Sequence, residues 1–84
     1  MYKIVFKESV SKDFDILPKE RKKIIWNKIR TALSANPYKN KLLKGKWADL
    51  RRYETHPYRV IYDIFEQEKT VLILRVRYRK EIYR

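Results

Sequence analysis

The sequence has no cysteine, one glycine, three prolines and one histidine in 84 residues. Without cysteine there is no disulfide and no thiolate metal site. A single histidine excludes a His-cluster metal site. The ten acidic residues are scattered, so nothing supports a magnesium site built from carboxylates alone. No Ser- or Pro-rich run marks a linker. Long apolar runs are missing as well: the longest, VLIL at 71 to 74, is far short of the roughly 20 residues that span a bilayer. The first ten residues, MYKIVFKESV, lack the apolar stretch of a signal peptide. The expectation is a soluble, cytoplasmic protein with no cofactor, no metal and no membrane partner.

Negative charge is also scarce. Ten acidic residues stand against 22 basic ones, for a net charge of +12. A field of that size on so small a body favours polyanionic partners such as nucleic acid, a ribosome or an acidic protein. Aromatic content is 14%, with seven Tyr and two Trp, enough for a core. The length fits one domain, 1–84. A domain of this size buries only about 60–65% of its unfolded surface, so a buried polar group needs a reason to be there.

Hydrophobic periodicity predicts a strand over residues 2 to 6, YKIVF. Val10, Phe14 and Leu17 then recur on one face of a helix that Ser9 or Ser11 is placed to cap. Pro18 opens a second helix running to about Ala35, with Ile25, Ile29, Ala32 and Leu33 on one stripe. Lysines and arginines of PKERKKIIWNK occupy its other face, either solvated or against RNA phosphates. Asn36-Pro37 ends that helix, and Gly45 is expected at positive φ. Leu42, Leu43 and Trp47 are expected to pin the following loop to the core. Three strands follow at about 49–55, 58–65 and 70–78, joined by the short turns THPY and EQEK. The order β-α-α-β-β-β, with helices on one face of a mostly antiparallel sheet, is an α+β fold.

Side chains alternate faces along a strand. By strict alternation, Val60, Tyr62, Ile64, Leu72, Leu74 and Val76 form the face against the helices. The other face carries Arg52, Glu54, Arg59, Arg75 and Arg77. Pairing through EQEK brings residue 59 opposite 75–77, so arginines converge on one patch. Like charges opposite one another destabilise a sheet, and a bound anion offsets that cost. The plainer alternative is a solvated face on which Asp63 and Glu54 pair with the arginines and Arg stems cover apolar surface. Arginine suits phosphate because its fork binds two oxygens and it stays charged.

The segments LKGKWADLRRYETHPYRVIYDIF and TVLILRVRYRKEIYR resemble the RelE/ParE toxin superfamily of bacterial and archaeal toxin–antitoxin systems. The shared features are a Leu-x-Gly loop, an Arg-bearing strand, YRVIY, a hydrophobic strand, and a terminal Arg-x-x-x-Tyr. The N-terminal half agrees only in length, element order and helical hairpin. The resemblance implies a RelE-like fold and a compact toxin neutralised by a cognate antitoxin that wraps it. RelE-like members cleave mRNA in the ribosomal A site, without metal. ParE-like members poison DNA gyrase and are not nucleases.

Carried over by position, the resemblance implies that Arg59 contacts the scissile phosphate. Arg79 stabilises charge developing in the transition state, and Tyr83 stacks on a base or assists proton transfer. Arg52 falls on a basic position seven residues before Arg59. Arg75, Arg77, Lys44 and Lys46 supply RNA-binding charge. The chain departs from the pattern beside Arg52, whose same-face neighbours Leu50 and Glu54 are not basic. Glu54 is either the general base or, the preferred reading, a salt-bridge partner. His56 reads as an exposed turn residue rather than a catalyst, and Trp47 and Tyr53 as packing rather than base-stacking residues.

Overall fold

The computed structural model describes residues 1–45 and 48–78, the Tyr78 side chain excepted. Strand β1 (Lys3–Phe6) leads into helix α1 (Val10–Asp15) and helix α2 (Lys19–Ala35), then a 3-10 turn (Pro37–Lys39). Strands β2 (Arg51–Thr55), β3 (Tyr58–Phe65) and β4 (Thr70–Tyr78) complete the chain. The sheet order is β1-β4-β3-β2. The β2–β3–β4 meander is antiparallel, and β1 adds to it parallel to β4.

Of the expected α2 stripe, Ile25, Ile29 and Leu33, one turn apart, are buried, and Ala32 is half-buried. Helix α1 is one turn and a half long and buries Val10 and Asp13. Ser9 stands at its N-cap position without a side-chain cap bond, and the Ser11 hydroxyl donates to the Glu8 carbonyl. Gly45 has φ 71°, the left-handed region expected of it. The 41–43 loop is held to β2 by backbone, not by side chains in the core. Arg52 N–H donates to the Lys41 carbonyl, Leu43 N–H donates to that of Leu50, and Leu42 is exposed. Trp47 lies outside the described residues.

One core assignment is overturned. The residues of β4 that bury fully are Val71 and Ile73, with Val76, while Leu72 and Leu74 lie on the other face. The register explains it. Ile61 pairs with Arg75 but Tyr62 pairs with Ile73, which leaves Leu74 as an extra residue in a β-bulge. A bulge inverts the alternation on one side of itself. Val71 and Ile73 therefore share the helix-facing side with Val76. The run VLIL is apolar at every position, so strict alternation has no polar residue to correct it.

Two polar anchors fix the far end of the sheet. The buried Tyr62 hydroxyl donates to the Pro37 carbonyl (2.6 Å) and accepts from Asn40 Nδ2 (3.1 Å). Tyr62→Phe should therefore lower stability by about 1–3 kcal/mol, because a buried acceptor loses its donor; a shifted urea midpoint at constant slope measures it. At the β3–β4 turn, Glu66 accepts from the hydroxyls of Tyr2 and Tyr38, both at 2.6 Å, and pairs with Lys69.

These bonds move titrations in opposite directions. Those from Lys69, Tyr2 and Tyr38 pull the Glu66 carboxyl down to about 2. Donation to Glu66 pushes Tyr38 up to about 12. Stability linked to Glu66 is present above its ordinary 4.5 and fades as pH falls toward 2; that linked to Tyr38 is present below 10 and fades as pH rises through 12. The groups are exposed, so solvent screens the effect. An ultraviolet tyrosine titration of Glu66→Gln should return Tyr38 toward 10.0.

Candidate functional site

The sheet face away from α2 carries the charges that alternation placed there. Glu54 of β2, Arg59 of β3 and Arg77 of β4 pair in register and form one row across three strands. Two arginines side by side would repel, and each is matched by its own carboxylate. Arg59 donates from Nε (3.1 Å) and Nη2 (2.8 Å) to Glu54 Oε1. Arg77 Nη1 stands 3.8 Å from Asp13 Oδ1. The row thus reads minus, plus, plus, minus. Its two inner cations are held between its two outer carboxylates.

Asp13 was not foreseen. Its other oxygen, Oδ2, accepts the Val76 backbone N–H at 3.0 Å. Strand β1 stops at Phe6, opposite Ile73, so among the described residues the edge of β4 beyond that point lacks a neighbouring strand. The Asp13 carboxylate takes the place of the missing strand there and meets Arg77 as well. Asp63, expected as an arginine partner, instead accepts from the Ile64 N–H. A signal for Asp13 did exist: it sits three residues after Val10, inside the apolar stripe of α1. A carboxylate on an inward face calls for a partner.

Beside the row lies a cleft of about 420 Å³ with an aliphatic floor of Leu43, Leu50, Ile61 and Leu74, bordered by Lys7, Ser9 and Arg75. The bulge builds it, by turning Leu74 and Arg75 to the same side. Arg52, opposite Ile61, flanks the cleft on β2. The structure therefore brings together Arg52, Glu54, Arg59, Arg75 and Arg77. Lys44 is exposed on the neighbouring loop. Lys46, Arg79 and Tyr83 lie outside the described residues. Lys7 and Ser9 are additions that the sequence offered no pattern for, since they come from the opposite end of the chain. His56 is exposed in its turn, and Tyr53 packs against the core. Among the described residues, no group of three or more His, Cys, Asp or Glu could hold a metal ion. No described helix is long and apolar enough to cross a membrane.

A family model described as the ParE toxin of type II toxin–antitoxin systems, parDE, matches residues 4–83. The chain is similar to one in the RelBE2 toxin–antitoxin complex from Mycobacterium tuberculosis. Identity there is 28%, with 93% of this chain and 91% of that one covered and a TM-score of 0.87. It is also similar to one in the archaeal RelE–RelB complex from Pyrococcus horikoshii OT3, at 26% identity, 93% and 94% coverage and a TM-score of 0.64. The isolated E. coli RelE toxin, 21% identical over 99% and 92% of the two chains with a TM-score of 0.73, shares the fold. A comparison with curated protein sequences gives no match.

Proposed function

This chain belongs to the ParE toxin family of type II toxin–antitoxin systems, and from that premise we propose that it cleaves mRNA on the ribosome and is held in check by a cognate antitoxin. The observation that supports this reading is the pair Arg59 and Arg77, side by side on the open sheet face next to the Arg75-bordered cleft. Complexes of RelE-like toxins with their antitoxins, from M. tuberculosis and P. horikoshii, are the basis for the partner.

The chemistry follows from the substrate. The ribose 2′-oxygen attacks the adjacent phosphorus while the P–O5′ bond breaks. The products are a 2′,3′-cyclic phosphate and a free 5′-hydroxyl. One proton leaves the 2′-oxygen and one arrives at the 5′-oxygen. Negative charge grows on the non-bridging oxygens between those events. Arg59 and Arg77 would exchange Glu54 and Asp13 for these oxygens, and their forks hold phosphate in two places at once. In this scheme Glu54 keeps Arg59 aligned between turnovers. Arg79 and Tyr83, assigned by resemblance, would act at the transition state and on the flanking base. Arg52, Arg75, Lys44 and Lys46 would hold neighbouring phosphates, and the aliphatic cleft would take the face of a base.

A second reading, inhibition of DNA gyrase without nuclease chemistry, is favoured by the ParE description of the matching family. One experiment separates the two. Added to a translation extract, the protein should stop synthesis and leave mRNA cut in the A site, detected by primer extension. Unimpaired translation together with stalled gyrase supercoiling would sink the nuclease reading and uphold the second.

A further inference from the structure

The cleft on the open face lies one step along the sheet from the arginine pair. Arg59 faces Arg77, and two residues along both strands Ile61 faces Arg75. At roughly 3.3 Å per residue that step is about 7 Å, the reach from a phosphate to the base of an adjoining nucleotide. The floor suits a base. Leu43, Leu50, Ile61 and Leu74 are all half-buried, so aliphatic surface stays in contact with water. A base laid on it returns that area to an apolar contact. A volume of about 420 Å³ is enough for one nucleoside.

An aliphatic floor holds any base. Choice among bases needs polar groups at the rim, and these are Lys7, Ser9 and Arg75. Among the described residues that line the cleft, none is acidic. Backbone bonds fix Lys7 and Ser9 at the junction of β1 and α1. Lys7 N–H donates to the Ile73 carbonyl at 2.9 Å, and the Lys7 carbonyl accepts from Val10 N–H at 2.9 Å. The Ser9 carbonyl accepts from Lys12 N–H at 3.3 Å. Ser9 stands at the N-cap position of α1, yet its hydroxyl makes no cap bond and stays open to a ligand.

We propose that Lys7 and Ser9 read the base seated in this cleft, and that the cleft selects the keto bases, guanine and uracil, over the amino bases, adenine and cytosine. The proposal rests on the nuclease reading above and adds which feature of the message the site recognises. Its basis is the kind of polar group at the rim. An ammonium group carries three donors and no acceptor. Lys7 therefore bonds a carbonyl oxygen, O6 of guanine or O4 of uracil. It meets the N6 amino group of adenine or the N4 amino group of cytosine donor against donor. Arg75 is likewise a donor only and offers an amino group nothing. Ser9 both donates and accepts, so it holds the ring in place without choosing.

The test uses ribosomes stalled with an empty A site on messages that differ in one base of the A-site codon. Each codon position is varied in turn, and cutting is read by primer extension. At one position the protein should favour guanine and uracil over adenine and cytosine about 10-fold, the discrimination of one good base contact. Lys7 also borders the groove on the helix-bearing side where Phe6, Phe14 and Trp26 meet, so the readout is the ratio between bases rather than total cutting. Lys7→Met keeps the stem, removes the donors and should bring the four bases within about 2-fold of one another. Lys7→Glu exchanges donors for acceptors and should turn the preference toward adenine and cytosine. Ser9→Ala should lower cutting of all four alike, by about 3-fold, and leave the ratio as it was. If the unaltered protein shows no keto preference at any position, or a folded Lys7→Met protein keeps one, the base assignment is overturned while the nuclease reading stands. If the unaltered protein cuts none of these messages, the nuclease reading falls and the base assignment with it.

Discussion

Replacing Arg59 with alanine is expected to lower A-site cleavage by about 10²- to 10³-fold, the usual loss when one positioned donor to a developing oxyanion is removed. Arg59 is the better placed of the two row arginines. Its side chain is 12% exposed against 35% for Arg77, and two of its nitrogens are already aimed at one carboxylate oxygen. A guanidinium held that way loses little freedom on accepting a phosphate oxygen instead. The fold should survive the change. Glu54 is 42% exposed and regains water when its partner goes, so the lost ion pair is worth under about 1 kcal/mol. Primer extension on ribosome-bound message, beside a urea unfolding curve, measures both quantities. Full cleavage by a folded Arg59→Ala protein would remove Arg59 from the phosphate clamp. The same assay applied to Arg79→Ala tests the residue that the family resemblance places at the transition state, and a comparable loss is expected there.

Asp13→Ala is expected to cost about 2–3 kcal/mol of stability, within the range for a hydrogen bond to a charged group. For a domain of 84 residues that is a large part of a total of roughly 4–12 kcal/mol. Asp13 is only 8% exposed and serves two groups, the Val76 N–H and the Arg77 guanidinium. Removing it strands the N–H at a strand edge that β1 does not reach. Asp13→Asn should lose less, because an amide oxygen can still accept from Val76 while only the charge toward Arg77 is gone. Urea midpoints for the three proteins should therefore fall in the order wild type, Asn, Ala. Equal midpoints for Asp13→Ala and wild type would show that Asp13 does not hold the β4 edge.

Much of this architecture was legible in the residue order. Spacing located Ile25, Ile29 and Leu33 on the buried stripe of α2, and the lone glycine of an irregular stretch, Gly45, marked the positive φ. It also placed Arg59 opposite the β4 arginines, because a short turn between two strands fixes which residues meet. Two features were out of reach for definable reasons. The bulge at Leu74 falls in VLIL, where every residue tolerates burial, so no polar side chain marks the face that turns to water. The Asp13 contacts to Val76 and Arg77 join residues 63 and 64 positions apart, through an edge that exists only because β1 is short and parallel to β4.

Residue order alone sets the element order, the buried stripe of α2 and the convergence of basic residues on the sheet face away from the helices. These follow from local periodicity and from the excess of arginine and lysine. Which carboxylate holds which arginine, the joint turn of Leu74 and Arg75 that forms the cleft, and the meeting of Phe6, Phe14 and Trp26 in one groove emerge only in the folded chain. Those arrangements depend on register and on contacts between distant segments, and no local pattern encodes either.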